Sequence, residues 1–257
     1  MVTPFERFSQ FDMKELLKTF ILVSALIISV TVFFNLQTIT RVGVDYKVQI
    51  IQIPLYLKIL NFYDRHFNYK WLTGRIIGNL DKDQEKAIRL LNWTLNHIKQ
   101  QPKSLPVMDE HVWSVIVRGY GVSDNFNDVF STLCNYAGMD AYFSSVKDSE
   151  HILVGYMSFV KIDGNWTTFD PYNGVYFRNQ SGNIASIQDM KAGNMKIIHL
   201  SGSHNKMKVD YLALTKYLPG TIKFKFTRAN TQSPINRLLS QIIRWRDGES
   251  LLNLSKV

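Results

Sequence analysis

In the stretch RGYGVSDNFNDVFSTLCNYAGMDA, residues 118–141, a Gly-rich turn delivers Ser123 to the start of a helical pattern. A hydroxyl or thiol at a helix N-terminus is a natural place for a nucleophile, because the helix dipole favours the anion that forms there. The single cysteine of the chain, Cys134, lies eleven residues further on. With a base beside either residue, the chemistry would be peptide hydrolysis or acyl transfer. The two histidines nearest in sequence are His151 and His111, the latter in DEHVW. Without a base, Ser123 has an ordinary use as a helix N-cap, which contributes about 1 kcal/mol. Cys134 adjoins the apolar stripe of its helix, where free cysteine behaves as a small buried hydrophobe.

These residues need elements to position them. From Ser123 onward Phe126, Val129, Phe130, Leu133 and Ala137 recur at helical spacing, and Gly138 marks the stop. Upstream, Asp81 is expected to cap a helix with Gln84 at the capping-box position. Its stripe is Ala87, Ile88, Leu91, Leu95 and Ile98, and Pro102 should end it. Downstream, residues 151–162 and 166–170 read as strands around an Asp-Gly turn. Further strand-like pieces lie at Ile197–Leu200 and Ile222–Phe226, and INRLLSQIIRWRDGESLLNLSKV reads as a basic amphipathic helix. Helical spacing of Leu57, Leu60, Asp64 and Phe67 predicts a helix from Pro54 to about Leu72, on the main domain or on a bilayer surface.

A helix, a Gly-rich loop, a second helix opening at the nucleophile and a hairpin ending in W-x-x-x-D-P resemble the transglutaminase-like domain, of the papain-like fold. Gly121, Leu133, Gly138, Gly164, Trp166, Asp170 and Pro171 carry the resemblance, over about residues 79–175. It implies an α+β core with a cysteine opening the second helix, a histidine on the next strand and an aspartate after the hairpin. This sequence puts Ser123 at the cysteine position and Gly155 at the histidine position, and keeps only Asp170. His151 is the one rescue base in the segment; four residues back along the same strand it would stand about 13 Å from position 155, beyond hydrogen-bond reach. The implied protein is a degenerate, inactive member that keeps a cleft, with Tyr120, Asp124, Trp166 and Tyr172 as candidate binding residues. Trp113 joins these aromatics, any of which could instead be core. The resemblance further implies an accessory role in bacterial cell-surface polysaccharide production. The alternative is a serine- or cysteine-dependent peptidase or acyl transferase with a rewired site.

The first forty residues set the environment. No charge appears from Thr19 to Thr40, and the apolar heart runs from Phe20 to Phe34. About 20 such residues cross a hydrocarbon core, and no A-x-A-like cleavage site follows. The reading is a tail (1–18), a single-pass anchor (19–36), a juxtamembrane helical segment (37–78), the transglutaminase-like domain (79–200) and a C-terminal extension with the basic amphipathic helix (201–257). Basic residues flank the anchor on both sides, so orientation rests on the simpler topology, with the large domain outside the cytoplasm. Lys+Arg 30 against Asp+Glu 21 gives +9, which favours anionic partners: lipid, an acidic glycan or an envelope protein. Basic residues form no run, so no nucleic acid is expected. One cysteine excludes an internal disulfide and a cysteine-based metal site, and neither a metal nor a cofactor is expected. N-x-S/T triplets at Asn92, Asn165, Asn179 and Asn253 are sequons that also arise by chance.

Overall fold

The first helix, α1 (Pro4–Phe34), runs without a break through the expected tail and anchor. Its Met13–Phe34 portion is long and apolar enough to span a membrane, and among the described residues none of it is buried. At roughly 1.5 Å per residue it is about 33 Å long, close to the thickness of a hydrocarbon core. A computed structural model describes residues 4–44, 47–105, 111–201, 209–220, 222 and 229–246. Residues 223–226 of the strand expected over Ile222–Phe226, the last residues of the terminal helix pattern and the Asn253 sequon lie outside the described residues.

The chain divides into two units: residues 1–42 with 49–61, and residues 43–48 with 62–257. In the first, α1 is followed by a hairpin of β1 (Gln37–Val44) and β2 (Lys47–Pro54). Thr38 Oγ1 donates to the Ile53 carbonyl (3.0 Å), and the Leu55 amide to the Leu36 carbonyl (2.8 Å). This corrects the helical reading of 37–78. KVQIIQIP is rich in β-branched residues that pack well on a pleated surface, and helix begins only with α2 (Leu55–Ile77).

The second unit takes over within α2. Then come α3 (Asp83–His97), β3 (Lys99–Gln100), α4 (Val112–Arg118), β4 (Tyr120–Gly121) and α5 (Ser123–Tyr136). Asp81 does not cap α3. The N-cap is Lys82, which makes no side-chain cap bond. Gln84 is held elsewhere, donating to Asp163 (3.2 Å) and accepting from the Ile184 amide (3.3 Å). Nor does α3 run to Pro102. The chain leaves the helix at Ile98, and β3 pairs in parallel with β4.

Beyond α5 lies an antiparallel sheet of β5 (Ala141–Lys147), β6 (Leu153–Ile162), β7 (Asn165–Asp170), β8 (Val175–Arg178) and β9 (Lys196–His199), in that order. The turn between β6 and β7 uses Asp163 (φ 50°) and Gly164 (φ 83°), as the Asp-Gly signal predicts. Short helices α6 (Ile187–Lys191) and α7 (Tyr211–Leu214) follow, and α8 (Pro234–Arg246) realises part of the basic amphipathic pattern.

Strand alternation gives the sheet two buried faces. On one, Val160, Ile162 and Phe169 join Phe126, Phe130 and Leu133 of α5 in a core with Leu90 and Leu91 of α3 and Val115 of α4. On the other, Met157, Phe159, Val175 and Phe177 pack with Ile187, Met190, Tyr211 and Leu214. Lying between the sheet and α3/α4, α5 is buried from Phe126 through Cys134. It ends in two hydrogen bonds of the Schellman type, Gly138 N to Asn135 O (3.1 Å) and Met139 N to Cys134 O (3.0 Å).

The turn after β7 is packed to its limit. Gly174 has φ +66°, and a Cβ there would stand 2.5 Å from Leu95 Cδ2. Gly174→Ala should therefore cost about 1–3 kcal/mol through left-handed strain and overpacking. Denaturant titration of the full chain in detergent micelles, followed by tryptophan fluorescence, measures the loss.

Candidate functional site

Ser123 is the first residue of α5, not its cap. The N-cap is Val122, whose carbonyl accepts from the amides of Asn125 (3.0 Å) and Phe126 (3.3 Å). Asn125 Oδ1 reaches back to the Val122 amide at 3.1 Å, so Asn125 does the capping that the sequence assigned to Ser123. Gly121 makes room for it: a Cβ at that position would lie 2.7 Å from Asn125 Cβ. Ser123 is half-buried, and its hydroxyl has no hydrogen-bond partner among the described residues.

What fixes this end of α5 is Asn127. Its Nδ2 donates to the Ser123 carbonyl (2.8 Å) and toward the Tyr156 carbonyl on β6 (3.4 Å), while its Oδ1 accepts from Ser158 Oγ (2.8 Å). Ser131 Oγ donates to Ser158 Oγ (3.2 Å), and Asn135 closes the row on the Ala141 carbonyl (2.8 Å). Asn127, Ser131 and Ser158 are buried. A polar row in a core survives only when its members are paired, and this one sets the register of α5 against β5 and β6. Sequence reasoning missed it. The signal was available as small polar residues at four-residue spacing, Ser123, Asn127, Ser131 and Asn135.

The row places Ser123 level with Tyr156, next to Gly155. Gly155 is buried, pairs with Val146 on β5, and has nothing within 4 Å of where a Cβ would stand. Val146 belongs to the core on the sheet face away from α5, as do Met157 and Phe159, so alternation assigns position 155 to that face. Asp170 is on the same face, bonded to Tyr211. Ser158 pairs with Phe169, so Met157 falls opposite Asp170 and residue 155 lies on the diagonal, about 7–8 Å away. A base at 155 would have Asp170 as its neighbour, but glycine provides none.

Asp170 has other work. Its Oδ1 accepts from the Asn173 amide (3.0 Å), and its Oδ2 from Asn173 Nδ2 (2.8 Å) and Tyr211 Oη (2.8 Å). Burial pushes its carboxyl above the usual range, with these hydrogen bonds and one from the Tyr172 backbone pulling the other way. Asp170 thus ties the 170–174 turn to α7.

The remaining candidates divide. Tyr120 and Asp124 stay beside Ser123 along the chain, both half-buried. Asp124 keeps one buried carboxylate oxygen with no hydrogen-bond partner. Tyr172 is core: it is 9% exposed and meets Phe126 edge-on at 5.2 Å. Trp166 is on the face away from α5, edge-on to Tyr142 at 5.5 Å. Trp113 packs edge-on against buried Tyr69 (5.4 Å).

His151 is not on the strand. It is exposed in the loop before β6 with φ 62°, its amide bonded to the Asp148 carbonyl (3.1 Å), because Asp148 also gathers the amides of Glu150 and Ile152. His111 is the N-cap residue of α4. Two histidines not considered from sequence are engaged elsewhere, His66 with Tyr136 Oη (2.8 Å) and His97 with the Ile116 carbonyl (2.9 Å). Cys134 is fully buried, and burial drives its thiol well above the ordinary value, so it carries no thiolate near neutral pH. Among the described residues no group of three or more His, Cys, Asp or Glu could hold a metal ion.

Residues 70–171 match the family model of the Transglutaminase-like superfamily. No curated protein matches the chain. Among solved structures, the chain is similar to a "putative protease" from Parabacteroides distasonis, at 12% identity and a TM-score of 0.35 over 53% of this chain and 36% of that one. It is similar to a "putative cysteine protease" from Cytophaga hutchinsonii at 18% identity and a TM-score of 0.36, covering 52% and 46%. A third structure, a TGase, aligns at 14% identity and a TM-score of 0.34, covering 52% and 43%. The chain spans less than half the length of each of these three proteins.

Proposed function

Residues 70–171 are a transglutaminase-like domain, and from this premise we infer that the protein is a membrane-anchored binding module of that fold, without catalysis. One observation carries the reading. The Ser123 hydroxyl has no hydrogen-bond partner among the described residues, and so no base. A serine hydroxyl without a positioned base is a poor nucleophile near neutral pH. Position 155 has no side chain to supply one, and Asp170 is committed to Asn173 and Tyr211.

The half-buried surface around Tyr120, Ser123 and Asp124 is then the binding surface. An excess of nine positive charges favours an acidic glycan or an acidic envelope protein as its ligand. That chemistry suits an accessory role in cell-surface polysaccharide production, with the domain outside the cytoplasm.

The test compares variants in a complementation assay. Ser123→Ala removes a hydroxyl that caps nothing, so it should change stability by less than about 0.5 kcal/mol and leave function intact. Tyr120→Arg should lose function while the protein stays abundant. Labelling of Ser123 by a fluorophosphonate, or loss of function in folded Ser123→Ala, would replace this reading with the serine-dependent peptidase or acyl transferase.

A further inference from the structure

The most anomalous surface in the second unit is α8, whose amphipathicity faces the wrong way for a helix packed on a domain in water. Ser240 is 3% exposed, whereas Ile235, Leu238 and Trp245 are 71%, 63% and 79% exposed. At roughly 100° per residue, Ile235, Leu238, Leu239, Ile242 and Trp245 fall on one face, and Ser240, Arg237 and Arg244 cluster on the other. Arg237 lies over the Phe62 ring of α2 at 5.0 Å, which fixes the polar side as the one turned toward the domain. The apolar side is turned outward.

A second element repeats the pattern. In α2, Tyr69, Thr73 and Ile76 are buried, while Tyr63, Phe67 and Trp71 form an exposed aromatic row at helical spacing. Contiguous apolar surface left in water marks an interaction site.

We propose that the outward face of α8 rests on the anionic surface of a lipid bilayer. Charge and composition choose lipid over a second copy of the chain. PINRLLSQIIRWR carries three arginines and no acid; Arg237 and Arg244 lie on the domain side, and Arg246, next to Trp245, falls on the outward side at roughly 100° per residue. Aromatic rings flanked by arginine belong at the level of lipid headgroups, and a helix lying in that plane is basic on one side and apolar on the other. The chain also brings its own bilayer: Met13–Phe34, in the same chain as α8, is long and apolar enough to span one. Tethering raises the effective concentration of lipid surface so far that a face too weak to bind alone is held there.

The experiment uses the full chain in nanodiscs of phosphatidylcholine with one-third phosphatidylglycerol. In a Cys134→Ala background, bimane is attached through Leu238→Cys on the apolar face or Gln241→Cys on the flank. Brominated lipid should quench the label at 238 at least threefold more than at 241. In parallel, amide hydrogen exchange compares the unmodified chain with Leu238→Glu plus Ile242→Glu, and α8 should exchange at least threefold faster in the variant. This second arm needs no change at Cys134. Equal quenching at 238 and 241, unchanged exchange in the variant, or disulfide-linked dimers through position 238 would each overturn the proposal, the last in favour of a second copy.

Discussion

Asp170→Ala should destabilise the domain by about 2–4 kcal/mol, since it removes the buried acceptor of the Asn173 amide and of Tyr211 Oη and the closest partner of Asn173 Nδ2. In the degenerate reading the acid that precedes Pro171 is therefore a structural residue. Asp170→Asn separates the contributions. It keeps the shape but turns an acceptor into a donor facing Asn173 Nδ2, so it should cost less than the alanine variant. It also removes a titration with a defined sign. Burial raises the folded carboxyl above its ordinary value, so the folded state binds the proton more tightly than the unfolded chain. The resulting contribution is full below the ordinary carboxyl value, falls as pH rises from there to the raised value, and is flat above it. The stability difference between wild type and Asp170→Asn should shrink across that window. Urea unfolding of the full chain in micelles over a pH series reads it directly, and a difference independent of pH would show that Asp170 does not titrate as its burial requires.

Asn127→Ala should cost a similar amount, roughly 2–4 kcal/mol, for a different reason. It leaves the Ser123 carbonyl and Ser158 Oγ without their shortest partners and opens a small cavity between α5 and β6. Ser158→Ala alone should cost about 1 kcal/mol, and the pair should be less damaging than the sum, with a coupling of roughly 0.5–3 kcal/mol. Additive losses in that double-mutant cycle would mean that the row is not one network. Amide exchange should also rise in the first turn of α5, because Asn127 is what ties that turn to the sheet.

Much of the fold was legible in the sequence because it rests on local periodicity. The stripe from Phe126 to Leu133 specifies α5, the Asp-Gly pair specifies the turn between β6 and β7, and an uncharged run specifies a helix able to cross a bilayer. The spacing of Gly121, Trp166 and Asp170 pointed to the transglutaminase-like domain that residues 70–171 match. That residue 155 is a glycine is a fact of sequence alone. Side-chain allegiance was not legible, because it depends on partners distant in the chain. Even the local choice of Asn125 over Ser123 as the cap of α5 depends on the turn through Gly121, which leaves room for the Asn125 side chain. Asp170 meets Tyr211 across 41 residues, and Gln84 leaves its expected cap for Asp163 across 79. Trp166 goes to the far face because strand alternation, set by the register with β6, assigns it there. Periodicity told which residues α8 would group together. Only packing decided which group faces out, for amphipathicity has no sign until the rest of the domain chooses a side.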